Sequence, residues 1–131
     1  MSQNANATYN GLTAVGYQAL QNVNTGASEL VAVGFSALTN ATTAVGSTGV
    51  GFQALANITS GFQMTAVGDQ ALGTTSTDIA NNAYGYFSQN LTNGGSYNDS
   101  FGALSLQTNT SGSRNCCFGY QTLTRDRKSV V

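Results

Sequence analysis

From residue 13 onward, short apolar blocks alternate with polar, turn-forming stretches on a fixed period. Residues 13–20 read TAVGYQAL, followed by VAVGFSAL at 31–38, TGVGFQAL at 48–55 and TAVGDQAL at 65–72. Three more divergent copies complete the series: NAYGYFSQ at 82–89, DSFGALSL at 99–106 and CCFGYQTL at 116–123. The central glycines are Gly16, Gly34, Gly51, Gly68, Gly85, Gly102 and Gly119; the first spacing is 18 and the rest are 17. Self-similarity at a fixed period marks a repeat architecture, in which each unit is one supersecondary element. The intervening segments, such as NVNTGAS at 22–28, NITSGFQ at 57–63 and NTSGSRN at 109–115, are rich in turn formers. Two punctuation points per unit suit a coil with two corners.

Aligning the copies gives each column a meaning. Val15, Val33, Val50, Val67, Tyr84, Phe101 and Phe118 precede the glycine, and all are β-formers. Leu20, Leu38, Leu55, Leu72, Leu106 and Leu123 stand four places after it. These two columns are the predicted core. The fifth copy has Gln89 in the leucine column, with Leu91 two residues later, and a shift of two keeps one strand face. The column three after the glycine is always small: Ala19, Ala37, Ala54, Ala71, Ser88, Ser105 and Thr122. The central glycines are expected to need positive φ or close backbone approach. Gly26, Gly61, Gly95 and Gly112, with Asp78, form a second turn column ten residues on.

A 17-residue unit buries too little surface to offset roughly 1–2 kcal/mol of backbone entropy per residue. Stacked units succeed, because each covers its neighbour. The pattern predicts an all-β solenoid or β-roll of about seven coils, one per repeat. Strands about 4.7–4.9 Å apart make it a rod of roughly 30–35 Å. Gln18, Gln53, Gln70 and Gln121 are placed to form side-chain amide ladders. Val before the glycine and Leu four after it are five apart, so a straight strand puts them on opposite faces. Three resolutions stay open: the glycine bends the chain, GYQAL forms a helical turn, or both faces are buried, one against a partner chain.

Residues 1–12 read as a lead-in or partial repeat, 13–123 as the solenoid, and 124–131 as a polar tail. The copies drift. Four places before the glycine, Leu12, Leu30 and Met64 give way to Asn81, Asn98 and Asn115.

The TAVGYQAL-type array with its Asn/Thr/Gly turns resembles repeats of phage and virus tail fibres. The Ala-Val-Gly triplets at 14–16, 32–34 and 66–68 are also similar to the head repeats of trimeric autotransporter adhesins. The second resemblance implies a left-handed winding and a homotrimer. This chain departs from the adhesin pattern in its longer coil and in the Leu that follows Ala. Both resemblances imply a structural or adhesive segment of a virion or cell-surface appendage that spaces and displays a host-contacting surface; the exposed Asn/Thr/Ser turns are the candidate contacts for host surface glycans. A self-assembling extracellular filament, adding head to tail, is the competing expectation, because open coil ends carry unpaired strands.

Composition narrows the chemistry. Only 7% of residues are charged, so hydroxyls and amides keep the surface wet or an assembly covers it. The net charge of −1 provides no basic field for nucleic acid, and Arg114, Arg125, Arg127 and Lys128 cluster near the C-terminus. No apolar run is long enough to cross a membrane. There is no His for a triad or zinc site, and Glu29, Asp69, Asp78, Asp99 and Asp126 share no column. No enzyme activity, cofactor or metal is therefore expected. Adjacent Cys116 and Cys117 point to opposite faces of a strand and read as small buried residues; an intermolecular disulfide is the minor alternative. Six glycosylation sequons start at Asn6, Asn40, Asn57, Asn90, Asn98 and Asn109; Asn40, Asn57, Asn90 and Asn109 fall near one edge. Thr42 with Thr43, Thr75 with Thr77, and Thr108 with Thr110 raise an ice-binding surface as a minor reading, but the pairs keep no single column.

Overall fold

A computed structural model describes residues 10–75 and 77–124. It is an all-β parallel solenoid with a 17-residue period. Seven three-residue strands follow one another: β1 (Thr13–Val15), β2 (Val31–Val33), β3 (Thr48–Val50), β4 (Thr65–Val67), β5 (Asn82–Tyr84), β6 (Asp99–Phe101) and β7 (Cys116–Phe118). They form one parallel sheet in the order β1-β2-β3-β4-β5-β6-β7. The register is strict: Val15 pairs with Val33, Val33 with Val50, Val50 with Val67, and the series runs on through Tyr84 and Phe101 to Phe118. A second parallel ladder of single bridges links Asn10, Ser28, Val45, Phe62 and Ile79. Coils are numbered below by their central glycine, from Gly16 (coil 1) to Gly119 (coil 7).

Backbone hydrogen bonds run mainly from coil to coil, beyond the sheet as well as within it. Leu38 N–H donates to Ala54 C=O (3.0 Å), Leu55 to Ala71 (3.1 Å) and Leu72 to Ser88 (3.0 Å). Each coil thus supplies the backbone partners its neighbour lacks, which is why one unit cannot stand alone.

Backbone chirality makes the corners. The central glycines have φ between 116° and 138°. At Gly16, Gly34, Gly51, Gly68, Gly85 and Gly102, a Cβ would collide with backbone of the next glycine. The segment after the glycine is neither a straight strand nor a helical turn. Positions two and four beyond it take left-handed backbone, as at Gln53 (φ 51°) and Leu55 (φ 52°). A further left-handed corner recurs at Glu29, Gly46, Gln63, Ala80, Tyr97 and Arg114. Non-glycine residues avoid this region, at a cost of about 1–2 kcal/mol each. The inter-coil bonds and the buried leucines hold them there.

The coil is thin, and this corrects the predicted core. A three-residue strand turns only its middle side chain inward, and that residue is always small. Ala32, Ala66, Ala83, Ser100 and Cys117 are buried there. The column before the glycine faces outward instead: Val15, Val67, Tyr84, Phe101 and Phe118 are 36–66% exposed, and Val33 and Val50 are half-buried. Leu20, Leu38, Leu55, Leu72 and Leu106 fill the interior, as do Ala19, Ala37, Ala54 and Ala71. Leu123, in the last described coil, is exposed. In coil 5 Gln89 itself is buried, and Leu91, expected to replace it, is exposed. A further interior column, seven beyond the glycine, holds Ala41, Ile58, Thr75, Thr92 and Asn109.

The turn column also shifts. The bridges from Ser28 to Val45, Phe62 and Ile79 align Ala27 with Ala44, Gly61 and Asp78. Gly26 is exposed and lies one place out of register. The extra residue of the first spacing is therefore absorbed between Asn24, which still bonds Thr42, and Ala27.

The interior changes chemistry along the axis. Coils 1–3 and the start of coil 4 are filled by Leu20, Leu30, Leu38, Leu55, Ile58, Met64 and Leu72. From Thr75 onward the buried set is dominated by Asp78, Asn81, Ser88, Gln89, Asn98, Ser100, Ser105 and Asn109. These polar groups bond one another along the axis. Asn81 Oδ1 accepts from Asn98 N–H (2.9 Å) and Nδ2 (3.1 Å), and Asn98 Oδ1 accepts from Asn115 N–H (3.0 Å) and Nδ2 (2.9 Å). Asn98 Nδ2 also donates to Gly112 C=O (2.9 Å).

Candidate functional site

The outward columns beside the central glycine ridge are the most distinctive surface. On one side stand Val15, Val33, Val50, Val67, Tyr84, Phe101 and Phe118, apolar in every coil. On the other stand Tyr17, Phe35, Phe52, Asp69, Tyr86, Ala103 and Tyr120. The coil repeat places like rings over one another. Tyr84 stacks on Phe101 (4.7 Å, 5°) and Phe101 on Phe118 (4.8 Å, 5°). Tyr17 stacks on Phe35 (5.2 Å) and Phe35 on Phe52 (5.4 Å). Stacked rings cover each other's faces and leave edges outward, so the interior rungs of the ladder offer no open ring face to a planar ligand. Sequence reasoning placed the first column inside because it is uniformly apolar. The signal that identifies the inward residue is the uniformly small position before it.

Amide ladders form, but from asparagine. Ser36 interrupts the glutamine column and donates to Gln18 Oε1 (3.2 Å). On the surface Asn22 Nδ2 donates to Asn40 Oδ1 (2.8 Å), Asn40 Nδ2 to Asn57 Oδ1 (3.4 Å), and Asn57 Nδ2 to Gly73 C=O (2.6 Å).

The sequons separate by burial. Asn57 is exposed and Asn40 half-buried. Asn90 is 7% and Asn109 1% exposed, and Asn98 is fully buried, so these three present no accessible amide. Asn6 lies outside the described residues, as do Arg125, Asp126, Arg127 and Lys128.

The cysteines differ. Cys117 is buried and Cys116 exposed on the outward face of β7, correcting the reading of both as interior. Burial, and then the adjacent Cys116, push the Cys117 thiol above its usual value. Asp78 is buried in the turn column, where Thr75 Oγ1 donates to Oδ2 (2.7 Å) and Gly94 N–H to Oδ1 (2.7 Å). That makes it a turn clamp tying coil 4 to coil 5. Among the described residues no group of three or more metal-ligating side chains converges, and no helix is long and apolar enough to cross a membrane.

No family model, curated protein or solved structure matches the chain. The functional reading therefore rests on the coil and its surfaces.

Proposed function

We propose that the chain is a non-catalytic structural segment of a virion or cell-surface fibre, of the tail-fibre or adhesin kind, working as a homotrimer that spaces and displays a host-contacting surface. The observation that carries this is the outward column before the glycine, apolar in all seven coils while the flanking columns vary. Phe and Tyr side chains bury about 150–250 Å² each. At the observed exposures the two columns offer on the order of 1,000 Å², above the roughly 800 Å² per partner of a standard interface. A second copy has the same axial period, so its side chains match this stripe rung for rung. Asp69 interrupts the column after the glycine, which supports that column as the wet rim and the uninterrupted Val/Tyr/Phe column as the centre.

The test is the mass in solution. Analytical ultracentrifugation is expected to give three chains per particle for the native protein. Val50→Asp, which puts a carboxylate on the stripe without touching the interior, is expected to give single chains with unchanged circular dichroism. A native protein that stays monomeric at high micromolar concentration overturns the reading. One observation favours a second reading, an extracellular filament: β1 and β7 lie at the edges of the described sheet. Long filaments in negative stain whose formation Val50→Asp leaves unchanged decide for that alternative.

A further inference from the structure

One cavity does not belong to the apolar stripe. A groove of about 250 Å³ crosses coils 2 to 5, lined by Ser36, Thr39, Asn40, Gln53, Ala56, Asn57, Gln70, Gly73, Thr74 and Asn90. It is a local departure from the repeat. Its floor is the column five beyond the glycine, which reads Gln21, Thr39, Ala56, Gly73, Asn90 and Gln107 along the rod. The small residues there are Ala56 and Gly73; the Asn90 amide covers Gly73, where a Cβ would collide with its Nδ2, so the hollow opens over Ala56. Thr39 closes one end. Asn90 closes the other, where its Nδ2 donates to Gln70 C=O (2.8 Å).

The two walls differ in preparation. One is the ordered chain running from Asn40 through Asn57 to Gly73 C=O, fixed by its own hydrogen bonds. The other holds Gln53 and Gln70, whose side-chain amides make no hydrogen bond within the described residues. Each of these amides offers two donors and an acceptor. No lining residue is charged.

From this we infer that the groove is a binding site for a neutral, hydroxyl-rich ligand the size of a mono- or disaccharide. An ionised ligand would lose hydration with no counter-charge to meet it. An apolar one would strand the amides. Vicinal hydroxyls, each both donor and acceptor, satisfy an amide on either wall. An extended peptide fits less well, because it binds by adding main-chain bonds to an open edge. Here the floor's backbone is already engaged: Ala56 C=O accepts from Asn40 N–H (3.2 Å), and Gly73 N–H donates to Gln70 C=O (3.2 Å). The inference deepens the display role proposed above by naming the ligand class, but it needs no trimer.

The experiment is a titration of the isotope-labelled full chain with cellobiose, maltose, lactose and mannobiose, following the side-chain amide signals of Gln53, Gln70 and Asn57. Glucuronic acid and a blocked Asn-Thr-Gly-Ser peptide serve as charged and peptide probes. At least one neutral disaccharide is expected to shift these signals with millimolar affinity. The double variant Gln53→Ala/Gln70→Ala is expected to weaken binding by more than tenfold, at about fivefold per lost hydrogen bond. Ala56→Gln installs the residue that coils 1 and 6 carry in the same column, so the coil is kept while the hollow fills; it is expected to abolish the shifts. The inference is overturned if no neutral sugar moves these signals, if the shifts survive Ala56→Gln, or if only the peptide or the acid produces them. The sedimentation experiment reads the fibre proposal independently of any of these results.

Discussion

Coils 2 and 3 wind a mainly apolar interior, and coils 5 and 6 wind the same backbone around a mainly polar one. In the first pair the inward positions carry Leu30, Ser47, Leu38, Leu55, Ala41 and Ile58; in the second the same columns carry Asn81, Asn98, Gln89, Leu106, Thr92 and Asn109. The strand register and the left-handed corners do not change. The fold is therefore fixed by the inter-coil backbone bonds and the corner conformations, and the filling has only to suit the space. Apolar filling is forgiving, since a lost methylene costs in proportion to its size. Polar filling is directional, and Asn81 and Asn98 are each both acceptor for the next rung and donor to the turn beyond it. The polar half should thus fail more abruptly when one rung is removed.

The largest expected effect tests that contrast. Asn98→Ala removes the acceptor of both Asn115 N–H and Asn115 Nδ2, whereas Gly112 C=O keeps its other donor, Asn109 Nδ2. At about 1–3 kcal/mol per stranded buried group, chemical denaturation should show a loss of about 4 kcal/mol. The triple replacement Asn81→Leu, Asn98→Leu and Asn115→Leu removes the ladder's side-chain donors and acceptors together and should be far less harmful than the sum of its parts. Additive losses would mean that the ladder is not a unit. Next comes Leu55→Ala in the apolar half, expected to cost about 3 kcal/mol by the same measurement. A smaller effect of opposite sign is expected from Gln89→Leu. Gln89 Oε1 is buried without a partner, although its Nε2 donates to Asn82 C=O, Asn98 C=O and Ser100 Oγ. Leucine is the residue of this column in the neighbouring coils, and the variant should gain about 1 kcal/mol by relieving the stranded oxygen.

The smallest effect concerns coil 7. Alkylation of the native protein should label Cys116 quickly and Cys117 tens of times more slowly, because the thiolate is the reactive form and burial disfavours it. The same raised value makes the neutral Cys117 a stabilising group. Its contribution is complete below the usual thiol range and is lost as the pH climbs through the raised value. Equal labelling rates would show that coil 7 opens readily.

The period, the stacking and the leucine interior were legible because they are repeated, and repetition separates signal from composition. The facing of the Val/Tyr/Phe column was not. Both sides of this thin wall carry apolar residues, so hydrophobicity alone assigns no side. The deciding trait was size, in the run Ala14, Ala32, Gly49, Ala66, Ala83, Ser100 and Cys117. The left-handed leucines were invisible for another reason: nothing local favours that backbone, and only the bonds to the next coil sustain it. Gln89 misled because a polar residue in an apolar column suggests displacement, whereas three acceptors were waiting in the interior. The groove is readable only once the coil is known, since Ala56 and Gly73 become neighbours through the winding.

The ridge of central glycines carries an implication for how such a chain changes over generations. From Gly16 to Gly102 each one meets its counterpart in the following turn, so a substitution at any of these is penalised. Excising residues 34–50, by contrast, joins Val33 to Gly51 and leaves all columns aligned. Point changes are punished and whole-unit gains or losses are cheap, so recombination between copies of the gene segment tunes the reach of the molecule more easily than any rewriting of its letters.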